Sequence, residues 1–459
     1  MDIIVNNLKS QIITDNPKLL KALRSIYTFN VKGANYSPQY RSGMWDGKKS
    51  FITPGGKFST GLLDDILKRL AKIDCVPDIQ DNRPSTPEVP LETIDGFVYR
   101  DYQEELIRKT LHMKRLVVQS STGSGKTLIM AGIIKSLKPR KMVILFHEKQ
   151  ILKQTYDFLL KCGIEDVGVN FGEGFIYGDI MLSTVQSIEK ILDTHLEEAE
   201  VLMIDEVHEF CSGKGRLAAI ESFPNAEYRV GLTATVPKDD IKYHNLVAAL
   251  GTVCKVLDTA DLIEKGKLVK PTIKTIKINY SQETQEEYAV SDYLSIYEEF
   301  ITNNEIRNNE IKNLVLSNQG ENNRILIIVQ NLEHGQILNN LIPGSCYIKG
   351  EDSISSRYEH IKEFVSGKTS CLIGTKILQT GVNIEEVTHI INARGLQSDI
   401  ATLQALGRAL RIHENKEKAT IFEFDDNLKY LHKHFNKRMK HYKAEGHTIE
   451  KIKEIEYEG

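Results

Sequence analysis

The feature that most limits what this chain can become is eight residues long. SSTGSGKT, residues 120–127, follows the apolar run RLVVQ and opens the helical pattern LIMAGIIKSL. A glycine-rich loop between a buried strand and a helix aims backbone amides and the positive end of the helix dipole at one point, which suits phosphate oxygens. Thr122, Gly123, Ser124 and Gly125 form the loop; its glycines let the backbone close on an anion. Lys126 is placed for the β and γ phosphates and Thr127 for Mg²⁺. The strict pattern starts with glycine, and that position is Ser120 here. Such a loop belongs to an α/β fold. The runs MVILF, IMLST, VLMID and YRVGLTA, separated by helical patterns, read as buried strands of a parallel sheet covered on both faces.

A second acidic signal sits on the same frame. DEVH, residues 205–208, follows the strand VLMI and comes 79 residues after Lys126. Asp205 can hold Mg²⁺ directly or through water, and Glu206 can polarise an attacking water. An isolated Asp-Glu pair would read as a solvated turn; one that leaves a buried strand does not. SGKT recurs at 366–369, but it precedes the strand SCLIG and has Lys362 where the strict pattern has glycine. It is not expected to bind phosphate.

At 459 residues the chain is too long for one ordinary core. Four of its 12 prolines, Pro77, Pro84, Pro87 and Pro90, fall in one stretch that reads as a linker. We expect a small α+β module with this linker over 1–90, a first αβ lobe over 91–265, a second over 266–425, and a basic helical tail over 426–459. The net charge of −3 gives no global field for nucleic acid. Residues 1–90, however, hold 13 Lys and Arg against 9 Asp and Glu. Six scattered cysteines form no CxxC pair, and no apolar run is long enough to span a membrane. A reducing cytosol is the expected compartment.

Seven ordered motifs resemble those of superfamily 2 helicases and translocases. They are YRDYQ (99–103), STGSGKT, STVQS (183–187), DEVH, TAT (233–235), and the pair GTKILQTGVNI (374–384) with QALGRALR (404–411) in the second lobe. The resemblance implies two tandem RecA-like lobes of the P-loop NTPase class and an ATP–Mg²⁺ site. It also implies that Gln103 reads the adenine edge, that Thr233 and Thr235 couple the metal site to the other lobe, and that Thr184, Gln186 and Thr375 meet the nucleic-acid backbone. Gln404, Arg408 and Arg411 would serve the γ-phosphate. The two arginines are three apart on one helical face, and guanidinium groups suit charge that accumulates on a transferring phosphoryl group. DEVH differs from the DEAD form of many local RNA unwinders.

The segment YSPQYRSGMWDGKKSFI, residues 36–52, is similar to the N-terminal module of UvsW-type phage recombination helicases. That likeness implies branched DNA as substrate, in recombination, repair or replication, with the host cytoplasm as location if the chain is phage-encoded. Partners from those pathways are then possible. An RNA helicase, a restriction-type duplex translocase and an ATP-switched DNA clamp are the rival functions. From its residues alone the segment interleaves Tyr36, Tyr40 and Trp45 with Arg41, Lys48 and Lys49, so aromatic faces could stack on bases while cations meet phosphates. Trp45, the only tryptophan, reads either as the anchor of a small core or as a base contact. The stretch 427–443, with six Lys or Arg and no Asp or Glu, is either a solvated face or a duplex contact.

Overall fold

A computed structural model describes the chain apart from residues 121–123, 172–173, 190–194, 196, 212–219, 222, 256–270, 350, 376–385, 397–418, 445 and 458–459. The chain divides into two compact units, Met1–Ser121 with Gly125–Val256, and the remainder. Both are built on RecA-like, chiefly parallel sheets, and a small α+β domain precedes the first.

The eight-stranded sheet of the first unit runs, in spatial order, Gly174–Ile176, Val167–Phe171, Ile180–Thr184, Met142–Phe146, Val201–Ile204, Tyr228–Thr233, Arg115–Gln119 and Thr252–Lys255. Its neighbours are parallel except Gly174–Ile176, which turns back on Val167–Phe171. Every residue of Met142–Phe146 and Val201–Ile204 is buried, which is why these strands read as unbroken apolar runs. Strand order has a functional consequence. Arg115–Gln119 pairs with Tyr228–Thr233, which pairs with Val201–Ile204. The phosphate loop, TAT and DEVH therefore leave three adjacent strands in the same direction, at the edge where open α/β sheets bind ligands.

The N-terminal domain has a four-stranded sheet in the order Lys57–Ser59, Lys9–Ile13, Asp2–Val5 and Asp78–Asp81. Its helix Pro17–Ile26 starts cleanly: the Asn16 side chain accepts from the Leu19 amide, and Pro17 occupies the first turn. The proline-rich stretch was expected to set this domain apart. Instead the domain shares a core with the first lobe. Leu62, Ile66 and Leu70 pack with Val247 and Ala248 of the helix Asp240–Leu250. The contact is close enough to require glycine: a Cβ on Gly61 would lie 2.2 Å from the Val247 carbonyl oxygen. The helix ends in LVAAL, an apolar segment that needs cover. The proline-rich stretch also lies against the lobe, where the Thr86 hydroxyl donates to Glu227 at 2.5 Å.

The second unit holds seven parallel strands in the order Ser345–Ile348, Cys371–Gly374, Ile325–Ile328, His389–Asn392, Ala419–Asp426, Pro271–Tyr280 and Thr448–Tyr457. One expectation changes here. Residues past 426 are not an appended helical tail. The helix Lys429–Ala444 buries Leu431, Phe435 and Met439, and the chain then adds an edge strand beside Pro271–Tyr280. PTIKTIKINY, residues 271–280, is thus an internal strand of this sheet. The second SGKT falls at the C-terminal end of the helix Ile354–Ser366, where Gly367 adopts φ +84° and Lys368 pairs with Glu363. That is the negative end of a helix dipole, which repels phosphate.

Candidate functional site

The site begins where the helix Lys126–Leu137 leaves its loop. Gly125, at φ +82°, caps the helix in a conformation that favours glycine. A side chain there would also meet Gln103, whose Nε2 would be 2.4 Å from the added Cβ. Gln103 is buried, and its Oε1 accepts from the Arg100 amide at 2.9 Å as part of a capping box. Its side-chain nitrogen lies beside Gly125 of the loop while its oxygen serves the cap. Ser120 and Ser124 are buried; Thr127 is half-buried in the first helical turn. Thr122 and Gly123 lie outside the described residues.

Across from this helix start, Val201–Ile204 delivers Asp205 and Glu206. The Asp205 amide donates to the Leu145 carbonyl at 3.0 Å, which holds the turn to the neighbouring strand. Glu206 adopts φ +46°, a left-handed conformation uncommon for a residue with a side chain and concentrated at functional sites. Its Oε1 lies 3.2 Å from Lys126 Nζ and its Oε2 3.3 Å from His208 Nδ1. Burial pushes the Glu206 carboxyl up, but the Lys126 and His208 charges outweigh it and hold Glu206 ionised. Asp205 goes the other way: burial and the Glu206 charge raise it well above the usual carboxylate range. Adjacent carboxyl groups with opposite shifts make this turn a candidate acid–base site.

His208 ties this pair to TAT. Its Nδ1 is 2.9 Å from Thr233 Oγ1 and its Nε2 3.4 Å from Glu209 Oε1. Thr233 donates its own proton to the Thr235 carbonyl at 2.8 Å, so His208 Nδ1 is the donor to Thr233. Burial lowers the His208 pKa, but hydrogen bonds and charge from Glu206 and Glu209 raise it further, to about 9. The imidazole is therefore a cation near neutral pH. DEVH was legible as a motif; this role for its histidine was not, because its partner Thr233 is 25 residues away.

A metal ion fits this chemistry only in part from protein atoms. Among the described residues, no group of three or more His, Cys, Asp or Glu could hold one. Thr127 and Asp205 can supply one or two oxygens, as expected of Mg²⁺ that takes its remaining ligands from phosphates and water. A cation beside Asp205 would also relieve its repulsion with Glu206.

The other expected residues divide by burial. Arg41 and Lys48 are exposed, as are Tyr36, Tyr40 and Met44. Trp45 is half-buried and donates Nε1–H to the Lys48 carbonyl at 2.8 Å, outside the apolar cluster of this domain; it is not the core anchor. Lys49 departs from its expected place on the binding surface. It is half-buried, lies over the Phe51 ring and donates to Asn245 Oδ1 at 2.6 Å. Thr184 is also buried and bonds Ser187 at 3.1 Å, so its hydroxyl shapes the turn while Gln186 next to it is exposed. Thr375 is half-buried just beyond Cys371–Gly374. Gln404, Arg408 and Arg411 lie outside the described residues.

Comparison with known proteins gives three family matches in chain order. Residues 6–76 match the family described as DNA helicase UvsW, N-terminal; 96–238 match Type III restriction enzyme, res subunit; and 307–413 match the Helicase conserved C-terminal domain. The chain is 22% identical over 458 residues to the ATP-dependent DNA helicase uvsW of Enterobacteria phage T4, covering 91% of each chain. It is 27% identical over 361 residues to a putative mitochondrial ATP-dependent helicase, irc3, of Schizosaccharomyces pombe, covering 73% of this chain and 58% of that one. Among solved structures, Saccharomyces cerevisiae Dbp5 bound to RNA and ADP BeF3 has a TM-score of 0.57 at 16% identity, over 77% of this chain and 89% of that one. The last likeness speaks to the fold alone.

Proposed function

We propose that this chain, an ATP-driven DNA helicase of superfamily 2 and of the UvsW type, acts on branched DNA, where it migrates junctions, regresses forks or unwinds arms. The observation that carries the reading is the solvent-facing group Tyr36, Tyr40, Arg41, Met44 and Lys48 on the N-terminal domain, within the segment that matches the UvsW N-terminal family. Aromatic faces stack on unpaired bases, and the cations between them neutralise backbone phosphates. A branch point offers both at once.

In this reading ATP binds at the loop 120–127, with Lys126 facing the β and γ phosphates and Gln103 at the base. Mg²⁺, held by Thr127 and Asp205, would neutralise phosphate charge. Glu206 accepts a proton from the attacking water, and its ionised state suits that role. Lys126 must turn from Glu206 toward phosphate, which frees the carboxylate at the moment it is needed. Arg408 and Arg411 stabilise the charge on the transferring group, and Gln404 serves the same phosphate. Recombination or replication proteins are the expected partners.

The test compares strand separation of a mobile four-way DNA junction, a fork, a plain DNA duplex and an RNA duplex, each with ATP turnover. We expect the junction and fork to be processed at least tenfold faster than the plain duplex. Equal rates on plain and branched DNA would leave a duplex translocase, preference for RNA would leave an RNA helicase, and ATP turnover without strand separation or translocation would leave a clamp.

A further inference from the structure

The N-terminal domain reaches the catalytic turn through two side chains. Lys49 extends from the short strand Lys48–Ser50, directly after the exposed aromatic and basic residues of the preceding segment. Its ammonium donates to Asn245 Oδ1 at 2.6 Å. Asn245 is buried in the helix Asp240–Leu250, and its Nδ2 donates to the Cys211 carbonyl at 3.2 Å. Cys211 closes the helical turn Val207–Cys211, which starts one residue after Glu206 and contains His208. Three bonded groups thus join the proposed DNA-facing segment to the turn that holds the water-activating carboxylate.

The surroundings make this path selective. His244, next to Asn245, sits among Phe29, Phe51 and Tyr27 at ring distances of 4.4, 5.4 and 5.9 Å. The helix that carries both residues begins five residues after Thr235, the last residue of TAT, and Lys32 of the N-terminal domain pairs with Asp239 at its cap at 2.8 Å. A displacement of the Lys48–Ser50 strand is therefore transmitted to a packed helix rather than to a loop. Asn245 is suited to the middle position because a carboxamide accepts from the ammonium and donates to the carbonyl at the same time. Aspartate lacks the donor, and leucine lacks both groups.

We infer that Lys49 and Asn245 are positioning residues that transmit DNA engagement by the N-terminal domain to the Glu206–His208 turn, so that ATP turnover rises when DNA is bound. The inference rests on the proposed DNA-motor reading. Neither residue belongs to the phosphate loop or to DEVH; each acts through the turn that carries Glu206 and His208. Such coupling between sites is worth about 5- to 150-fold in other systems, and a two-bond path belongs at the lower end.

The experiment uses the full chain and measures ATP affinity, turnover without DNA, maximal DNA-stimulated turnover and the DNA concentration at half-stimulation. The variants are Asn245→Asp, Asn245→Leu, Lys49→Met, Lys49→Arg and the double variant Lys49→Met with Asn245→Leu. For both Asn245 variants we expect unchanged basal turnover and ATP affinity with a drop of roughly fivefold or more in maximal stimulation. Lys49→Met should lower stimulation alike, Lys49→Arg should restore it, and the double variant should be no worse than either single one, because one path is cut once. Wild-type stimulation in Asn245→Asp and Asn245→Leu would overturn the coupling alone. So would additive losses, or a parallel fall of basal and stimulated turnover in folded protein. A wild-type chain that no DNA stimulates would overturn the motor reading and the coupling with it.

Discussion

Two polar clusters, one beyond a strand end in the first unit and one within a strand of the second, show what the same kind of sheet can do with buried charge. In the first unit, Lys126, Glu206 and His208 are paired at 3.2–3.3 Å, and the backbone at Glu206 is left-handed. In the second unit, Glu423 is fully enclosed on the strand Ala419–Asp426. It accepts from Asn392 Nδ2 at 2.8 Å, Arg438 Nε at 2.8 Å and the Tyr442 hydroxyl at 2.7 Å. Nothing about Glu423 is strained or solvent-facing. The first cluster keeps partners that can be exchanged for a ligand; the second uses its partners to neutralise a charge that cannot reach water. A buried ion pair is thus no sign of function by itself. The difference lies in access and backbone strain.

Three substitutions test that contrast. The largest effect belongs to Glu206→Gln, which keeps the shape of the side chain and removes the base. ATP turnover should fall by about 10²- to 10⁴-fold while ATP binding and the unfolding midpoint stay near wild type. Turnover within a few-fold of wild type would show that the strained cluster is structural after all. Next comes Glu423→Ala, which takes the carboxylate from the buried Arg438 guanidinium and leaves it the Leu396 and Phe424 carbonyls. It should cost about 3–5 kcal/mol of stability in the second unit, read by denaturant unfolding. A loss below about 1 kcal/mol would mean that water reaches Arg438 and that the two clusters differ less than their burial implies.

The smallest effect concerns His208. Its folded pKa of about 9 lies above the ordinary value of 6.5. A raised folded pKa stabilises the fold fully below the unfolded value, and this contribution is lost as pH rises through the folded one. The first unit should therefore lose roughly 2–3 kcal/mol between pH 6.5 and 9.5 from this group, at about 1.4 kcal/mol per pKa unit. His208→Asn should flatten that slope and also lower turnover through Glu206. The same slope in wild type and variant would assign the pH dependence elsewhere.

How much of this was legible depends on the distance over which each residue finds its partner. The phosphate loop and DEVH could be read because their signal is local: an apolar strand, a turn and a helix within about twenty residues. The buried strands were legible for the same reason. Lys49 was misplaced because a lysine beside Trp-Asp-Gly looks like a surface cation, and its partner Asn245 is 196 residues away. Thr184 was misjudged because a threonine at a strand's end can face either way. The strand Thr448–Tyr457 was missed because TIEKIKEIEY carries enough charge to pass for a solvated helix, and only its pairing with Pro271–Tyr280 shows otherwise. Seven of its ten residues are exposed at a sheet edge, where charge is tolerated and discourages wrong pairing.

That strand arrangement also bears on how the second unit is made. Pro271–Tyr280 lies between two parallel neighbours, and its pairing begins at Ala419 on one side and Thr448 on the other. A ribosome adding about 5–20 residues per second finishes Pro271–Tyr280 roughly 7–30 s before the nearer neighbour exists. During that interval the strand holds the apolar positions Ile273, Ile276 and Ile278 with both hydrogen-bonding edges open. Its lysines, Lys274 and Lys277, interrupt the apolar run and act as gatekeepers against pairing with another nascent chain. Fragments that stop before residue 419 would keep that interval open indefinitely, so low solubility in them would report missing partners for one strand rather than a defect in the lobe they contain.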